Sequence, residues 1–341
     1  MARAGQATYN LPGMTPPITF ITCVESGPLE TQVLRMVESL RRFGGAYAGC
    51  PVWAVKPRFG PPVSRHTRRE LDRLDVAYTT TTRDDPHGWY AYINKTRALI
   101  LAEAQAPTEF IGWLDADLLF TGEPTELTPG PAEDIAACSS DNAGGTTGPG
   151  DKCEPFWREA CAAVGVDMDS LPWVTTEREG ERIRLYWNSG VFVFRTGTGL
   201  AAEHDRCTTR LLDARLGSAV TGVFFTEQYG LSLAAARLGL RRRQLPHSHN
   251  YEMGSSIHEQ WYREEKLRAA RIVHYHDGMW PGFWPTFVSC LRETHPAVAA
   301  WLEPLGPLGN EAPVVYRAVT KLLKKRRSRG EERFKADCRF V

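Results

Sequence analysis

FIGWLDADLLF, residues 110–120, is the stretch on which the interpretation of the fold depends. Its apolar residues predict a buried strand over residues 109–120, although Asp115 and Asp117 stand near its end. Because side chains alternate along a strand, both carboxylates would point the same way and lie about 6–7 Å apart. They would repel each other by roughly 2–3 kcal/mol at an effective dielectric constant of about 20. A divalent cation would relieve this repulsion, whereas solvated aspartates that only cap the next turn are the alternative.

Strands and helices alternate in the chain before this stretch. Apolar runs and helical spacing indicate an α/β fold with a mostly parallel central sheet and helices on both faces. Ligands bind such sheets at the carboxyl ends of the strands, where the two aspartates would lie. The predicted strands are residues 18–24, 51–55, 75–81, 184–195 and the start of 271–280, and the predicted helices are 29–43, 64–74, 92–105, 155–166 and 226–239.

The composition is that of a globular protein. Hydrophobic residues make up 42% of the chain, and the net charge of +1 creates no overall field that would attract nucleic acid. No apolar stretch is long enough to span a membrane. We expect a flexible leader over residues 1–17, one domain over 18–300 and a basic helical or disordered tail over 301–341. The cysteines form no CxxC pair and no signal peptide is evident, which favours free thiols in a cytoplasmic protein.

Several polar residues are further candidates for the site. Two histidines in HYHDG, which we expect on one face of a short strand, would add imidazole nitrogen to carboxylate oxygen, a combination that favours Mn²⁺. A lysine near a helix start would meet a phosphate there. Small polar residues in WNSG would let a ligand approach the backbone, and an acid–amide pair starts a helix. These candidates are His274, His276, Lys95, Asn188, Ser189, Gly190, Glu227 and Gln228.

The order of these motifs resembles that of the GT-A-fold glycosyltransferases, most closely the glycogenin-like and lipopolysaccharide galactosyltransferase-like group. In that group a Lys-bearing helix precedes a strand that ends in DxD, and an N-[SA]-G-V strand, an acid–Gln pair, an Asn–aromatic turn and a late His before Gly follow. The resemblance covers roughly residues 18–285 and implies a Rossmann-like GT-A catalytic domain. The matching residues are Lys95, DAD 115–117, NSGV 188–191, EQ 227–228, NY 250–251 and HYHDGMWP 274–281.

The resemblance implies a metal-dependent enzyme that moves a sugar from a nucleotide diphosphate-sugar to a hydroxyl acceptor, with a UDP-sugar favoured. Asp115 and Asp117 would bind Mn²⁺ or Mg²⁺, and His274 or His276 would complete the coordination. Lys95 would neutralise the diphosphate. The implied donor-binding set is Lys95, Asn94, Asp115, Ser189, Gly190 and Glu25, and the implied catalytic set is Glu227, Gln228 and Asn188.

The sequence also departs from the group. Glu227-Gln228-Tyr229 replaces an Asp-Gln-Asp pattern, and His274 and His276 stand four and two residues before Gly278 instead of three. The group implies a retaining reaction, whereas Glu227 acting as a base on the acceptor would imply inversion. Two other functions are a nucleotidyltransferase, whose basic glycine-rich loop is missing after the first strand, and a non-catalytic carbohydrate-binding or scaffold protein.

The tail indicates a further partner. KLLKKRRSRG, residues 321–330, carries six basic residues and no acid, and Val315, Val319 and Leu322 share one helical face. A solvated, partly disordered tail and a basic amphipathic helix in contact with anionic lipid headgroups both fit this pattern. We therefore expect a cytoplasmic protein, with or without peripheral membrane contact.

Overall fold

The computed structural model describes residues 16–81 and 85–341, so most of the expected leader lies outside the described residues. Its strands are β1 (Ile18–Cys23), β2 (Val52–Lys56), β3 (Val76–Thr80), β4 (Phe110–Leu114), β5 (Leu118–Phe120), β6 (Ile135–Cys138), β7 (Trp173–Thr175), β8 (Arg182–Arg184), β9 (Asn188–Arg195), β10 (Leu216–Gly217), β11 (Arg242–Gln244), β12 (Tyr251–Glu252), β13 (Ile272–His274) and β14 (Arg339–Phe340). Its helices are α1 (Pro28–Phe43), α2 (Arg65–Arg73), α3 (Ile93–Gln105), α4 (Glu154–Val164), α5 (Leu200–Asp213), α6 (Thr226–Arg237), α7 (Ser255–Trp261), α8 (Glu264–Ala269), α9 (Trp284–Thr294), α10 (Pro296–Leu302) and α11 (Val314–Ala336).

The central sheet has seven strands in the order β11-β6-β9-β4-β1-β2-β3. Only β9 runs against its neighbours within this sheet, because it pairs antiparallel with β4 and β6, whereas the other adjacent pairs are parallel. On one face, α3, α4, α5 and α6 enclose an apolar cluster, and on the other face α1 and α2 enclose a second one. The predicted α/β fold with a mostly parallel sheet between helices is confirmed.

The stretch FIGWLDADLLF forms two strands and not the single strand predicted over residues 109–120. β4 ends at Leu114 and β5 begins at Leu118, so both aspartates lie in the connection. The chain turns there because β5 leaves the central sheet and pairs antiparallel with β13 in a second, three-stranded sheet. Backbone hydrogen bonds fix the turn: the Asp115 amide donates to Gly190 O at 2.9 Å, and the Tyr275 amide donates to Asp117 O at 3.0 Å.

The C-terminal segment folds back onto the rest of the chain. Phe334 of α11 is buried in a small cluster with Tyr90 and Leu212, and its ring centroid lies 4.5 Å from that of Trp89. β14 then pairs in parallel with β10. Of the two forms expected for the tail, the structure therefore has the helical one. Across the described residues, no helix combines the length and hydropathy needed to cross a membrane.

Candidate active site

A cavity of about 430 Å³ opens at the carboxyl ends of β1 and β4. The turn after β4, the start of β9, the end of β13 and the first turns of α3 and α6 surround it. Every site residue predicted from the sequence lines this cavity except Gly190, which packs behind His274. The structure thus brings together side chains that are separated by up to about 250 positions in the sequence, as expected for the ligand-binding edge of such a sheet.

Three of these side chains form a cluster that can hold a metal ion. One ligand atom from each of Asp117, His274 and His276 lies within 4.8 Å of the others. His274 Nε2 is 3.3 Å from Asp117 Oδ1, and His276 Nδ1 is 4.0 Å from Asp117 Oδ2. The two imidazole rings stack with centroids 4.2 Å apart. One carboxylate oxygen and two imidazole nitrogens are a ligand set that transition metals such as Mn²⁺ accept, so these residues fit the implied ion.

The two histidines reach the cluster in different ways. β13 ends at His274, and His276 lies beyond it in a turn with a φ angle of 47°, so the expectation that both share one face of a strand is wrong. The positive φ rotates the His276 backbone so that its ring returns toward Asp117. Burial and the neighbouring His274 lower the pKa of His276 to about 4, which leaves a lone pair free for a metal ion at neutral pH.

Asp117 carries the charge of the cluster. Burial opposes its ionisation, but the adjacent His274 outweighs that effect and holds the pKa of Asp117 at about 2. The same pair acts in the other direction on the imidazole, because the Asp117 carboxylate overcomes the effect of burial and raises the pKa of His274. Asp117 is therefore an anionic ligand throughout the physiological pH range.

Asp115 belongs to a different network. Its Oδ1 accepts a hydrogen bond from Trp113 Nε1 at 2.7 Å and lies 3.2 Å from Lys95 Nζ. Lys95 in turn donates to the carbonyl oxygen and to the hydroxyl of Ser189, both at 2.8 Å. Burial raises the pKa of Asp115 although Lys95 acts against that rise. Lys95 thus holds the turn after β4 against the start of β9.

Glu227 and Gln228 continue this network from the first turn of α6. Glu227 Oε2 accepts a hydrogen bond from Ser189 Oγ at 2.7 Å and lies 3.2 Å from Lys95 Nζ. Burial opposes ionisation of Glu227, but Lys95 and then His204 lower its pKa, so the carboxylate is charged. Gln228 Oε1 accepts from the Ser189 amide at 3.0 Å, which fixes the amide side chain toward the cavity.

The NSG sequence lies at the start of β9, whereas the sequence predicted it inside a longer strand over residues 184–195. The register between β6 and β9 shifts at Asn188, and Asn188 Oδ1 accepts hydrogen bonds from the Gly190 amide at 2.8 Å and from Asn250 Nδ2 at 3.0 Å. Gly190 allows close packing here, because a Cβ atom at this position would lie 2.5 Å from His274 Cε1. The glycine is therefore needed to bring the imidazole of His274 to the cluster.

The end of the cavity away from α6 is formed by residues that follow β1 and β2 and by the first turn of α3. Asn94 Nδ2 donates to Glu25 Oε1 at 2.9 Å, and Arg58 Nη2 donates to Glu25 Oε2 at 2.8 Å. Arg58 is not among the site residues predicted from the sequence, although its place after β2 is a usable signal. Three aromatic residues that also line the cavity, and that no motif indicated, are Tyr92, Phe224 and Phe225.

A mostly parallel sheet with one antiparallel strand has, at its carboxyl edge, a cavity with a cluster that can hold a metal ion, which is where ligands bind α/β sheets. A family model described as the Rhodobacterales glycosyltransferase domain matches residues 20–239. The chain belongs to this family and is a glycosyltransferase, which sets aside the nucleotidyltransferase and scaffold alternatives. No curated protein matches the sequence.

Solved structures of glycosyltransferases are similar to the chain at low sequence identity. The apo structure of the bifunctional glycosyltransferase WbbM is 11% identical with a TM-score of 0.45, over 85% of this chain and 52% of that chain. The chain thus spans about half the length of WbbM. The apo form of mouse xyloside xylosyltransferase 1 is 13% identical with a TM-score of 0.40, over 78% of this chain and 98% of that chain.

Proposed function

We propose that the protein transfers a sugar from a nucleotide diphosphate-sugar, with a UDP-sugar as the favoured donor, to a hydroxyl acceptor, and that the transfer requires Mn²⁺ or Mg²⁺. The observation that carries the proposal is the convergence of Asp117, His274 and His276 on the cavity of a glycosyltransferase. These three residues would hold the ion, and the two imidazoles favour Mn²⁺ over Mg²⁺. When bound, the ion stabilises the charge that develops on the departing diphosphate.

The remaining polar residues would bind the donor. Glu25 and Asn94 are joined by a hydrogen bond at the end of the cavity away from α6, where they can accept and donate hydrogen bonds to the nucleoside. Lys95 is almost fully buried, and its ammonium already contacts Ser189 and Asp115. Its proposed role is therefore to position these groups and to make the potential near the diphosphate more positive, and not to bind the diphosphate as a freely mobile cation.

The geometry supports a retaining reaction. Glu227 is 2% exposed, its Oε2 accepts from Ser189 and faces Lys95, and its Oε1 lies 3.0 Å from Nε2 of the buried His204, so the carboxylate is held within the protein. A base that removes a proton from the acceptor must instead reach the acceptor hydroxyl directly or through one water. We propose that Glu227 positions Ser189 and Lys95, while Gln228 and Asn188 contact the sugar. The anomeric configuration of the first-formed product, read by proton NMR, tests this assignment, and an inverted product would contradict it.

A thermal-shift screen with UDP, GDP and other nucleoside diphosphates, with and without Mn²⁺, tests the donor class. We expect a raised Tm with UDP that depends on Mn²⁺, because only a ligand that binds the folded state stabilises it. A larger shift with another base would correct the nucleotide. The absence of any nucleotide-dependent shift in the presence of Mn²⁺ would contradict the proposed function.

We also propose that the protein is cytoplasmic and contacts anionic membranes through α11. Its eight cysteines are free thiols, which fits a reducing compartment. Val315, Val319 and Leu322 are exposed and follow one another at helical spacing, next to the basic residues of the same helix. Exchange of Val315 and Leu322 for serine should reduce flotation with phosphatidylglycerol vesicles. Equal flotation of this variant and the wild type would contradict the proposal.

A further inference from the structure

A second cavity of about 460 Å³ lies beside the first, between α11, the end of β2 and the start of α3. Its wall contains five arginines: Arg58, Arg97, Arg326, Arg327 and Arg333. We call this the arginine cavity. Arg58 and Asn94 line both cavities, so the two spaces adjoin each other. The α11 side of the arginine cavity lies outside residues 20–239, the part of the chain that the family model covers.

The carboxylates around the arginine cavity neutralise only part of its charge. Arg58 pairs with Glu25, and Arg97 pairs with Asp85, which also lines the cavity, and with Asp205. Within residues 16–81 and 85–341, no carboxylate lies within ion-pair distance of Arg326 or Arg333.

Arg327 is intermediate between these two cases. It donates to the Phe59 carbonyl oxygen at 2.8 Å and lies 4.0 Å from Glu25, a carboxylate that Arg58 already engages. Among residues 16–81 and 85–341, five guanidinium groups thus face three carboxylates, and this part of the chain places an excess of positive charge on the α11 side of the cavity.

The packing of α11 holds these arginines over the cavity. Leu323 and Gly330 of α11 also line the cavity. A Cβ atom at Gly330 would lie 2.9 Å from the Cβ of Trp89, so the helix backbone approaches the body of the protein closely at this point. Together with the burial of Phe334, this contact docks the part of α11 that follows Arg327 and carries Arg333. The arginines are therefore displayed by a docked helix and not by a mobile tail.

We propose that the arginine cavity binds a phosphate group, at a site separate from the donor diphosphate. Guanidinium groups donate paired, charge-assisted hydrogen bonds to phosphate oxygens, and several arginines that converge from different elements match a tetrahedral anion. Because this cavity adjoins the donor cavity, the phosphate that fits is one carried by the acceptor or by a lipid headgroup near the acceptor. The proposal does not depend on metal-dependent transfer, because Asp117, His274 and His276 do not line the arginine cavity.

Calorimetric titration of the full chain with inorganic pyrophosphate in EDTA tests the proposal. We expect saturable binding that Arg326→Gln/Arg333→Gln weakens by about tenfold or more, because two charge-assisted contacts are lost. The matched control is Lys321→Gln/Lys325→Gln, which removes the same charge from exposed positions of α11 outside the cavity and should change the Kd by less than about twofold. Asp117→Asn should leave pyrophosphate binding unchanged, which separates this site from the donor site.

Vesicle flotation identifies the source of the phosphate. If pyrophosphate releases the protein from phosphatidylglycerol vesicles, and Arg326→Gln/Arg333→Gln binds them less well than the lysine control, the cavity takes a lipid headgroup. If pyrophosphate binds but does not affect flotation, the cavity takes a soluble or acceptor-borne phosphate. Equal weakening in both double variants, unchanged binding in Arg326→Gln/Arg333→Gln, or no binding of either probe would overturn the proposal.

Discussion

The ammonium group of Lys95 lies 3.2 Å from the Glu227 carboxylate, in a part of the protein where the two side chains are 4% and 2% exposed. The same ammonium lies 3.2 Å from Asp115. One buried cation therefore compensates two carboxylates that come from different elements, the turn after β4 and the first turn of α6. The protein thus pairs the charges of Asp115 and Glu227 internally, through Lys95. Asp117, His274 and His276 instead form the group that can bind a metal ion.

Replacement of Lys95 by methionine should strongly destabilise the protein, because it leaves buried carboxylates without their cation. We expect the free energy of unfolding in urea to fall by about 3–5 kcal/mol, the usual effect of breaking a buried pair. The exposed pair Glu264–Arg268 offers a control, since Arg268→Met should change the same quantity by less than about 1 kcal/mol. Adding Glu227→Gln to Lys95→Met should restore part of the loss. Similar small effects of Lys95→Met and Arg268→Met would show that the buried pair is not needed.

Gly190→Ala should weaken metal binding while the protein stays folded. The new Cβ would lie 2.5 Å from His274 Cε1 and 2.7 Å from its Nδ1, so the imidazole must move away from Asp117. A displaced ligand of this kind should reduce Mn²⁺ affinity by about 10–100-fold. Gly309→Ala is the matched control, because its Cβ would meet nothing within 4 Å. Unchanged Mn²⁺ affinity in Gly190→Ala, measured by titration, would mean that His274 is not a ligand.

His249 should contribute to a fall in the stability of the protein on mild acidification. Burial first, and then Arg243, lower the pKa of this histidine to about 4. The unfolded chain binds a proton near the ordinary histidine pKa of about 6.5, so the stabilising effect is complete above that pH and is lost as the pH falls toward 4.

We therefore expect the free energy of unfolding to decrease between about pH 6.5 and pH 4, and His249→Gln should flatten this part of the profile. Urea unfolding measured at several pH values would show the difference. A wild-type profile and a His249→Gln profile that run parallel through this window would mean that His249 is not responsible.

Much of the fold is predictable because local patterns and the final contacts agree. The alternation of apolar runs and helical spacing before residue 120 gives the parallel strands β1, β2 and β3 and the helices between them. The continuous strand predicted over residues 109–120 was wrong, because β5 pairs with β13, whose residues are 152 to 156 positions away in the sequence. The φ angle of 47° at His276 belongs to a turn in which the Gly278 amide donates to Tyr275 O, and the sequence analysis did not predict this turn.

The site was predictable as a set of residues but not as a network. The resemblance indicated eleven of the residues that line the cavity, from Glu25 to His276. It did not indicate that Lys95 pairs with Glu227, or that Asp115 lies outside the cluster that Asp117 forms with the two histidines. Such pairings depend on side-chain geometry across four separate elements. The arginine cavity also had no sequence signal, because a run of basic residues is typical of a solvated helix face. Only the structure shows that Leu323 and Gly330 line the cavity and that Phe334 is buried against the rest of the protein.

The most direct test of the site is a Mn²⁺ titration followed by electron paramagnetic resonance, with Asp117→Asn and Asp115→Asn compared in the absence of nucleotide. The two variants make the same chemical change two residues apart in one turn. If Asp117, His274 and His276 hold the ion, Asp117→Asn should weaken Mn²⁺ binding by at least about tenfold, and Asp115→Asn should weaken it by less than about threefold. Equal weakening in both variants, or a larger effect of Asp115→Asn, would contradict the assignment.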